Sequence, residues 1–332
     1  MTPGEVVDSD PGADDDALPL VRVILGPTGS GKTEIAARLN PERYEIVSCD
    51  SRQVYREMPV GTAMPEPEVL ARIPHHLVDF LSPLETIDAG MYARMADAAI
   101  TDILARGRKP VLVGGAGFYY RALKTGLFDR ARIDPAVRER VRMTPHRERL
   151  ARLRAEDPDA LQSETGPALP GRIHPNDEYR VERALEVLES TGTRFSEHWR
   201  RAREAGLRSR KFRFSGYHIE TEREEYFMRL ELRVQAMLQA GLVEEAERIR
   251  SDYGDCPGLA TLGYDLALNV VDGLLPVGEL ASSLAIGHRQ YGKRQRTWFR
   301  RETELRAISR EELRKKVADG AFPDEFLGIS DN

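Results

Sequence analysis

Gly26-Pro27-Thr28-Gly29-Ser30-Gly31-Lys32-Thr33 follows the phosphate-loop spacing: a glycine, four residues, then Gly-Lys-Thr. Its neighbours give the pattern physical meaning. Val21-Arg22-Val23-Ile24-Leu25 precedes it, a short apolar run of the kind a buried parallel strand requires. Glu34-Ile35-Ala36-Ala37-Arg38-Leu39 follows it and reads as a helix. Strand, glycine-rich turn and helix start together converge unpaired amides and the positive end of a helix dipole on one point, which makes an anion site. Lys32 adds a mobile positive charge there, and the Thr33 hydroxyl could hold a Mg²⁺ ion. The loop alone does not say which phosphorylated molecule it holds.

Outward from the loop, apolar runs alternate with helical stretches. Residues 45–48 read as a second strand, residues 110–113 as another, and residues 89–105 as a helix between them. That alternation predicts an α/β fold, a parallel sheet flanked by crossover helices, with ligands at the carboxyl ends of the strands. Asp50 stands at such an end, beside the phosphate loop. It could bind Mg²⁺ through water or accept a proton from a nucleophile, or Asp50 or Ser51 could simply cap a following helix. Pro74-His75-His76-Leu77-Val78-Asp79 lacks a clear third metal ligand, so a turn whose histidines bond the backbone is expected. Gly114-Gly115-Ala116-Gly117-Phe118-Tyr119-Tyr120 lets backbone approach a ligand closely and then places aromatics, which by themselves are as consistent with core.

The bulk numbers agree with a water-soluble protein. Of 332 residues, 41% are apolar and 31% charged, enough chain for one large or two modest domains with a real core. No apolar run approaches the ~20 residues of a membrane span, so no membrane partner and a cytoplasmic location are expected. Two scattered cysteines, Cys49 and Cys256, exclude a disulfide framework and a zinc site. The net charge of −5 is concentrated at the start: residues 1–20 carry six acids and no Lys or Arg, and removing those six leaves +1. This acidic, Pro- and Gly-containing tail reads as disordered.

From residue 129 to 210 the composition turns charged and helix-forming, with no convincing strand, which reads as a helical insertion. Val181, Ala184, Leu185 and Leu188 form an apolar stripe with Asn176 or Asp177 as cap. Asn176, Arg180 and Arg183 share another face, ordinarily a solvated one. Arg200, Arg201, Arg203, Arg208, Arg210, Lys211 and Arg213 set positive charge against the single acid Glu204, which suits a polyanion. Residues 211–220 read as a returning strand, followed by a long helix with Phe227, Leu230, Val234, Met237, Leu238 and Leu242 at helical spacing and Gly241 as an interruption. Arg289-Gln290-Tyr291-Gly292-Lys293-Arg294-Gln295-Arg296-Thr297-Trp298-Phe299-Arg300 interleaves basic and aromatic residues, a pattern that binds phosphates and stacks on bases. Beyond Arg306 the chain reads as a terminal helix and tail.

Six segments in order carry a family resemblance: GPTGSGKT, CDSRQVYREMPVGTAMP (residues 49–65), PHHLVD, LVGGAGFYYRAL, HPNDEYRVERALEV and RQYGKRQRTWFR. Together they resemble the tRNA dimethylallyltransferases, also called tRNA isopentenyltransferases, over about residues 23–300. The resemblance implies a phosphate-loop core (21–128 with 211–305), an inserted all-helical tRNA-binding domain (129–210), a disordered tail (1–20) and a C-terminal tail (306–332). It implies transfer of a dimethylallyl group from dimethylallyl diphosphate to the exocyclic amine of adenosine 37 of tRNA, by a monomer. The phosphate loop would then hold the donor's diphosphate instead of ATP. Gly26, Pro27, Thr28, Gly29, Ser30, Gly31, Lys32 and Thr33 would bind that diphosphate, with Arg223 or Arg233 as a further contact, Mg²⁺ on Thr33 and Asp50, and Asp50 as general base. The tRNA would be held by Asp50, Ser51, Arg52, Gln53 and Ala116, by Tyr179, Arg180, Val181, Glu182 and Arg183, and by Lys293, Arg294, Gln295, Arg296, Thr297 and Trp298. Departures are Ala116 and His288 where the family usually has Thr, Met64 where Lys is common, and Glu57 where Gly is common. The loop alone would equally serve a small-molecule or nucleotide kinase that uses ATP. An inactive tRNA-binding relative is a third reading, motivated by Ala116.

Overall fold

The structure, a computed structural model, describes residues 18–126, 133–165, 171–208, 211–320 and 322, with backbone alone over 202–208. The chain divides into two compact units, one formed by Met1–Leu123 with Lys211–Asn332 and the other by Lys124–Arg210. The acidic run of residues 1–17 and the basic side chains of Arg203, Arg208 and Arg210 lie outside what is described.

The first unit is built on six strands: β1 (Leu20–Leu25), β2 (Tyr44–Cys49), β3 (His75–His76), β4 (Lys109–Gly114), β5 (Arg213–Glu220) and β6 (Leu305–Ser309). They lie in the order β3-β2-β4-β1-β5-β6, and every pairing is parallel. β1 is central. Val23 sits opposite Leu112 on one side and Gly216 on the other, so the strand that feeds the phosphate loop is buried on both faces and both edges. The helix Ala89–Ala105 crosses between β3 and β4, and Asp88 caps it by accepting from the amides of Gly90 and Met91.

Two readings change here. His75 and His76 form a short edge strand along Ile46 and Val47, where a turn is expected. His75 Nδ1 donates to the Ile73 carbonyl, while His76 Nε2 donates to the carboxylate of Glu45, 2.8 Å in each case. Glu45 is itself 1% exposed and is also held by Arg106, so the second histidine helps satisfy a buried carboxylate at the sheet edge. The terminal helix expected beyond Arg306 is present, but a strand precedes it: β6 pairs with β5 from Gly216↔Leu305 to Glu220↔Ser309. The helix Arg310–Ala318 then buries Leu313 and Val317, and Phe322 joins them, against Ile24, Ile35, Leu39 and Tyr217 in one core. The signal was weak because Leu305–Ser309 alternates two buried positions with exposed ones and is only five residues long.

The rest of this unit is helical. Leu230, Val234 and Met237 of the helix Arg223–Gln239 are buried as the spacing requires. Gly241, at φ 88°, ends the run and starts the helix Leu242–Tyr253. These helices, with Tyr264–Val271 and Val277–Phe299, close a second core around Tyr264.

The second unit packs the helices Pro135–Met143, His146–Glu156 and Glu178–Thr191 around Val137, Val141, Leu153, Val181, Ala184 and Leu185. Asp177 is the cap, accepting from the Arg180 amide at 3.1 Å, and Gly192 closes the helix at φ 69°.

Candidate active site

The loop after β1 is anchored by three of its backbone amides. Gly26 N–H donates to Gly114 O on β4 (3.1 Å), Ser30 N–H to Pro27 O (3.1 Å), and Thr28 N–H to Gln295 Oε1 (2.9 Å). Gly29 and Gly31 take φ values of 77° and 83°. A Cβ on Gly29 would meet Leu230 at 2.7 Å, and one on Gly31 would meet Arg310 at 2.6 Å and Arg229 at 2.9 Å. Glycine is therefore required at both positions by conformation and by space.

The following helix is shorter than its sequence suggests, Lys32–Ala36 instead of a run to Leu39. Its dipole is correspondingly small, and side-chain cations supply most of the positive potential. Lys32 Nζ points back at the Pro27 carbonyl (3.4 Å). Burial pulls its pKa from 10.5 to about 8, Asp50 opposes that shift and the Arg233 charge adds to it. Two further arginines come from the helix Arg223–Gln239. Arg229 Nε donates to Gly29 O (2.9 Å), and Arg233 lies within electrostatic reach of both Lys32 and Asp50, with a buried Nε that has no partner. Arg223, by contrast, is exposed, stacks over Phe227 and faces an open groove. Of the pair suggested by resemblance, Arg233 is the one beside the loop lysine. Ser30 Oγ and Tyr226 Oη are likewise buried and unpartnered. Unsatisfied buried donors are costly in any fold, and three of those in this protein lie around one glycine turn.

Asp50 stands at the end of β2. No helix follows it; its Oδ1 accepts from the amides of Arg52 (2.8 Å) and Gln53 (3.3 Å), an Asx turn that fixes the carboxylate's orientation. Its charge is felt at Lys32, Arg233 and Tyr291, and it helps burial push the Tyr291 phenol up to about 12. Asp50 and the loop lysine thus share one neighbourhood at the carboxyl ends of β2 and β1, with β4 between the two strands.

Several candidate tRNA contacts turn inward instead. Gln295 is buried and spends its amide on the protein, accepting from Thr28 N–H and donating from Nε2 to Gly115 O (2.8 Å). Trp298 packs on Gly117 and lies under the Arg121 guanidinium at 4.6 Å. Arg296 stacks on Tyr226 at 4.5 Å. Val181 is 0% exposed, a core residue of the helical unit, and Glu182 pairs with the buried Arg149. Gln53 donates to the Ala63 carbonyl (2.9 Å). Lys293, Arg294, Thr297, Tyr179 and Arg180 remain on the surface, Tyr179 at 75% exposure. The helical period explains the split: Leu284, His288, Gly292, Gln295 and Phe299 share one buried stripe, and the basic residues fall between.

The departures have local accounts. Glu57 sits at φ 63°, where glycine is strain-free, and Arg248 and the Tyr253 hydroxyl bond its carboxylate in place. Ala116 donates its amide to Cys49 O at 2.9 Å and contributes no side-chain hydrogen bond. His288 is 4% exposed, both its ring nitrogens lack partners, and burial with the nearby Arg233 charge pushes it down to about 4, so it is neutral.

The family model for IPP transferase matches residues 53–302. This chain belongs to the IPP transferase family. A tRNA dimethylallyltransferase of Leptospira interrogans serogroup Icterohaemorrhagiae serovar Lai is 39% identical over 303 residues, 90% of this chain and 97% of its own. Another from Koribacter versatilis is 40% identical, covering 87% of this chain and 92% of its own. The full-length tRNA isopentenylpyrophosphate transferase of Bacillus halodurans shares the fold at TM-score 0.63 and 29% identity, covering 91% of this chain and 95% of that one. A eukaryotic dimethylallyltransferase acting on tRNA superposes at TM-score 0.71 and 24% identity, covering 88% of this chain and 74% of that one, a likeness of fold. The parallel sheet with its phosphate loop is therefore the IPP transferase sheet, and membership of this family displaces the kinase reading.

Among the described residues no group of three His, Cys, Asp or Glu side chains could hold a metal. Thr33 and Asp50 offer one hydroxyl and one carboxylate. That sparse oxygen set fits Mg²⁺, which keeps waters and takes most of its remaining ligands from substrate phosphates.

Proposed function

We propose that this chain transfers a dimethylallyl group from dimethylallyl diphosphate to the N6 amine of adenosine 37 of tRNA, beside the anticodon on its 3′ side, releasing diphosphate. The observation that carries this reading is the cluster of unpartnered buried donors, Ser30 Oγ, Tyr226 Oη and Arg233 Nε, around a phosphate loop whose lysine shares its surroundings with Asp50. Diphosphate leaves only if its charge is met as the carbon–oxygen bond breaks, and Lys32, Arg229, Arg233 and the loop supply that charge from fixed positions. Mg²⁺ held by Thr33, and by Asp50 through water, would add Lewis-acid neutralisation of the same oxygens. The adenine amine donates its electron pair to the prenyl carbon and must lose a proton. With Oδ1 committed to two turn amides, Asp50 takes that proton on Oδ2. The target base leaves its stack to reach the donor, and the exposed Lys293, Arg294, Thr297, Tyr179 and Arg180 are the residues left to hold the RNA.

Among the described residues no helix is long and apolar enough to cross a membrane. A monomer acting in the cytoplasm accords with this reading. The test is mass spectrometry of tRNA nucleosides after incubation with dimethylallyl diphosphate, wild type beside Asp50→Ala. Prenylated adenosine from wild type and a rate about 10²–10⁴-fold lower from the variant, with tRNA still bound, are expected. Unmodified adenosine in every tRNA would sink the reading and leave a tRNA-binding relative.

A further inference from the structure

Arg310 is the first residue of the helix that follows β6, in the stretch whose sequence reads as a terminal helix and tail. Its guanidinium reaches back across the sheet edge to the phosphate loop, with Nε 2.6 Å from where a Cβ on Gly31 would sit and Cδ at 3.1 Å. Arg229 NH2 lies 2.9 Å from the same point, so two guanidiniums converge on one glycine. Burial and then the Arg310 charge both hold Arg229 below the usual arginine range, as expected of like charges crowded together. Arg310 Nε is buried and has no hydrogen-bond partner. Its NH2 is held by one carboxylate, Glu34, in the first turn after the loop, which Arg38 also engages at 3.2 Å. On its open side Arg310 borders a groove of about 1410 Å³ that Arg223, Lys293 and Arg296 also line.

We propose that Arg310 is a further anion-binding arginine of the phosphate loop, latched on Glu34 until diphosphate arrives and then turned onto its oxygens. Glu225 and Glu34 are the acids that act on Arg229, and Glu34 is shared between Arg38 and Arg310; a ligand carrying several negative charges at the loop competes with Glu34 for the Arg310 guanidinium. The pairing with Glu34 keeps the guanidinium close enough to transfer by side-chain rotation, with no backbone movement. The inference rests on the diphosphate reading of the loop and extends it to a residue that neither the phosphate-loop spacing nor the basic-aromatic run at 289–300 contains.

The test is titration calorimetry of the full chain with inorganic diphosphate in Mg²⁺ buffer, for wild type, Arg310→Gln, Glu34→Gln and Lys32→Met, with thermal melts as a check on folding. Arg310→Gln is expected to weaken diphosphate about 10- to 100-fold, the loss of a charge-assisted contact. It should raise KM for the prenyl donor while leaving KM for tRNA unchanged, and Arg310→Lys should restore part of the affinity. Glu34→Gln, which frees the guanidinium, should tighten diphosphate a few-fold. Wild-type affinity in Arg310→Gln, alongside a large loss in Lys32→Met, would overturn the proposal and leave the loop's role intact. Unchanged affinity in both variants would overturn the diphosphate reading itself.

Discussion

The phosphate-loop corner and the helical insertion are both rich in arginine and use it in opposite ways. In the insertion, Arg138 and Arg183 meet Glu186, Arg140 and Arg152 meet Glu189, and Arg154 meets Glu164. Arg149, 8% exposed, meets Glu182 through NH1 and also keeps a buried Nε without a partner. Among the described residues, much of the positive charge there is answered by carboxylates of the same unit. Around the loop, Lys32 lies against a backbone carbonyl, Arg229 bonds the Gly29 carbonyl, and Arg233 and Arg310 each keep a buried Nε without a partner, Arg310 while its NH2 meets Glu34. A cation answered by a fixed carboxylate holds the fold, while one left beside backbone oxygens and orphan donors is available to a ligand. The count of basic residues therefore says less about binding than their unspent hydrogen-bonding capacity.

The comparison breaks most easily in turnover. Lys32→Met should lower kcat/KM for the donor by about 10²–10³-fold, whereas Arg140→Ala and Arg152→Ala in the insertion should change it less than about threefold. Steady-state kinetics with tRNA saturating decides it. Because burial brings Lys32 to about 8, kcat/KM should fall as pH rises through that value and the ammonium charge is lost. Lys32→Arg should remove that limb of the profile.

A smaller effect separates residues within the run at 293–298. Gln295→Leu leaves the Thr28 amide and the Gly115 carbonyl without their partner and should cost about 1–3 kcal/mol in urea unfolding. Arg294→Ala, on the exposed face, should stay within about 0.5 kcal/mol and act on tRNA affinity instead. Equal losses would mean the two faces of this helix are not divided between fold and ligand.

The smallest effect concerns His288. Its folded pKa lies below the unfolded value, so the unfolded chain binds the extra proton first. Wild-type stability should therefore fall as pH drops from about 6.5 toward about 4. His288→Thr should soften that acid limb by about 1 kcal/mol or more and show no such effect above pH 7. Parallel stability curves for the two proteins would mean this buried ring does not set the limb.

Much of the sheet was legible because its signals are local. Val21-Arg22-Val23-Ile24-Leu25 is apolar but for the buried Arg22, as a strand buried on both faces largely must be, and the loop that follows satisfies a spacing set by backbone geometry. Asp50 was legible by position alone, at the end of β2 in a parallel sheet. Arg229 and Arg233 were half visible: they lie one turn apart beside Leu230 and Val234, so the apolar stripe that locates the helix also says which arginines turn inward. The burial of Gln295 could have been found the same way, from its register with Leu284 and Phe299. Nothing local marked β6 or Arg310. Leu305–Ser309 becomes a strand because β5 offers it an edge, across 85 residues from Glu220.

The sequence by itself determined the phosphate loop, the strands that carry it and the inserted helices, since each follows from a backbone requirement or from periodicity within a dozen residues. Tertiary structure decided which cations remain available. Gln295 became a strut, Val181 core, and Arg310 part of the loop's surroundings once helices and strands distant in the chain were packed together. The physical reason is that burial and pairing are properties of a neighbourhood, and at this corner the neighbours of Gly31 come from residues 229 and 310.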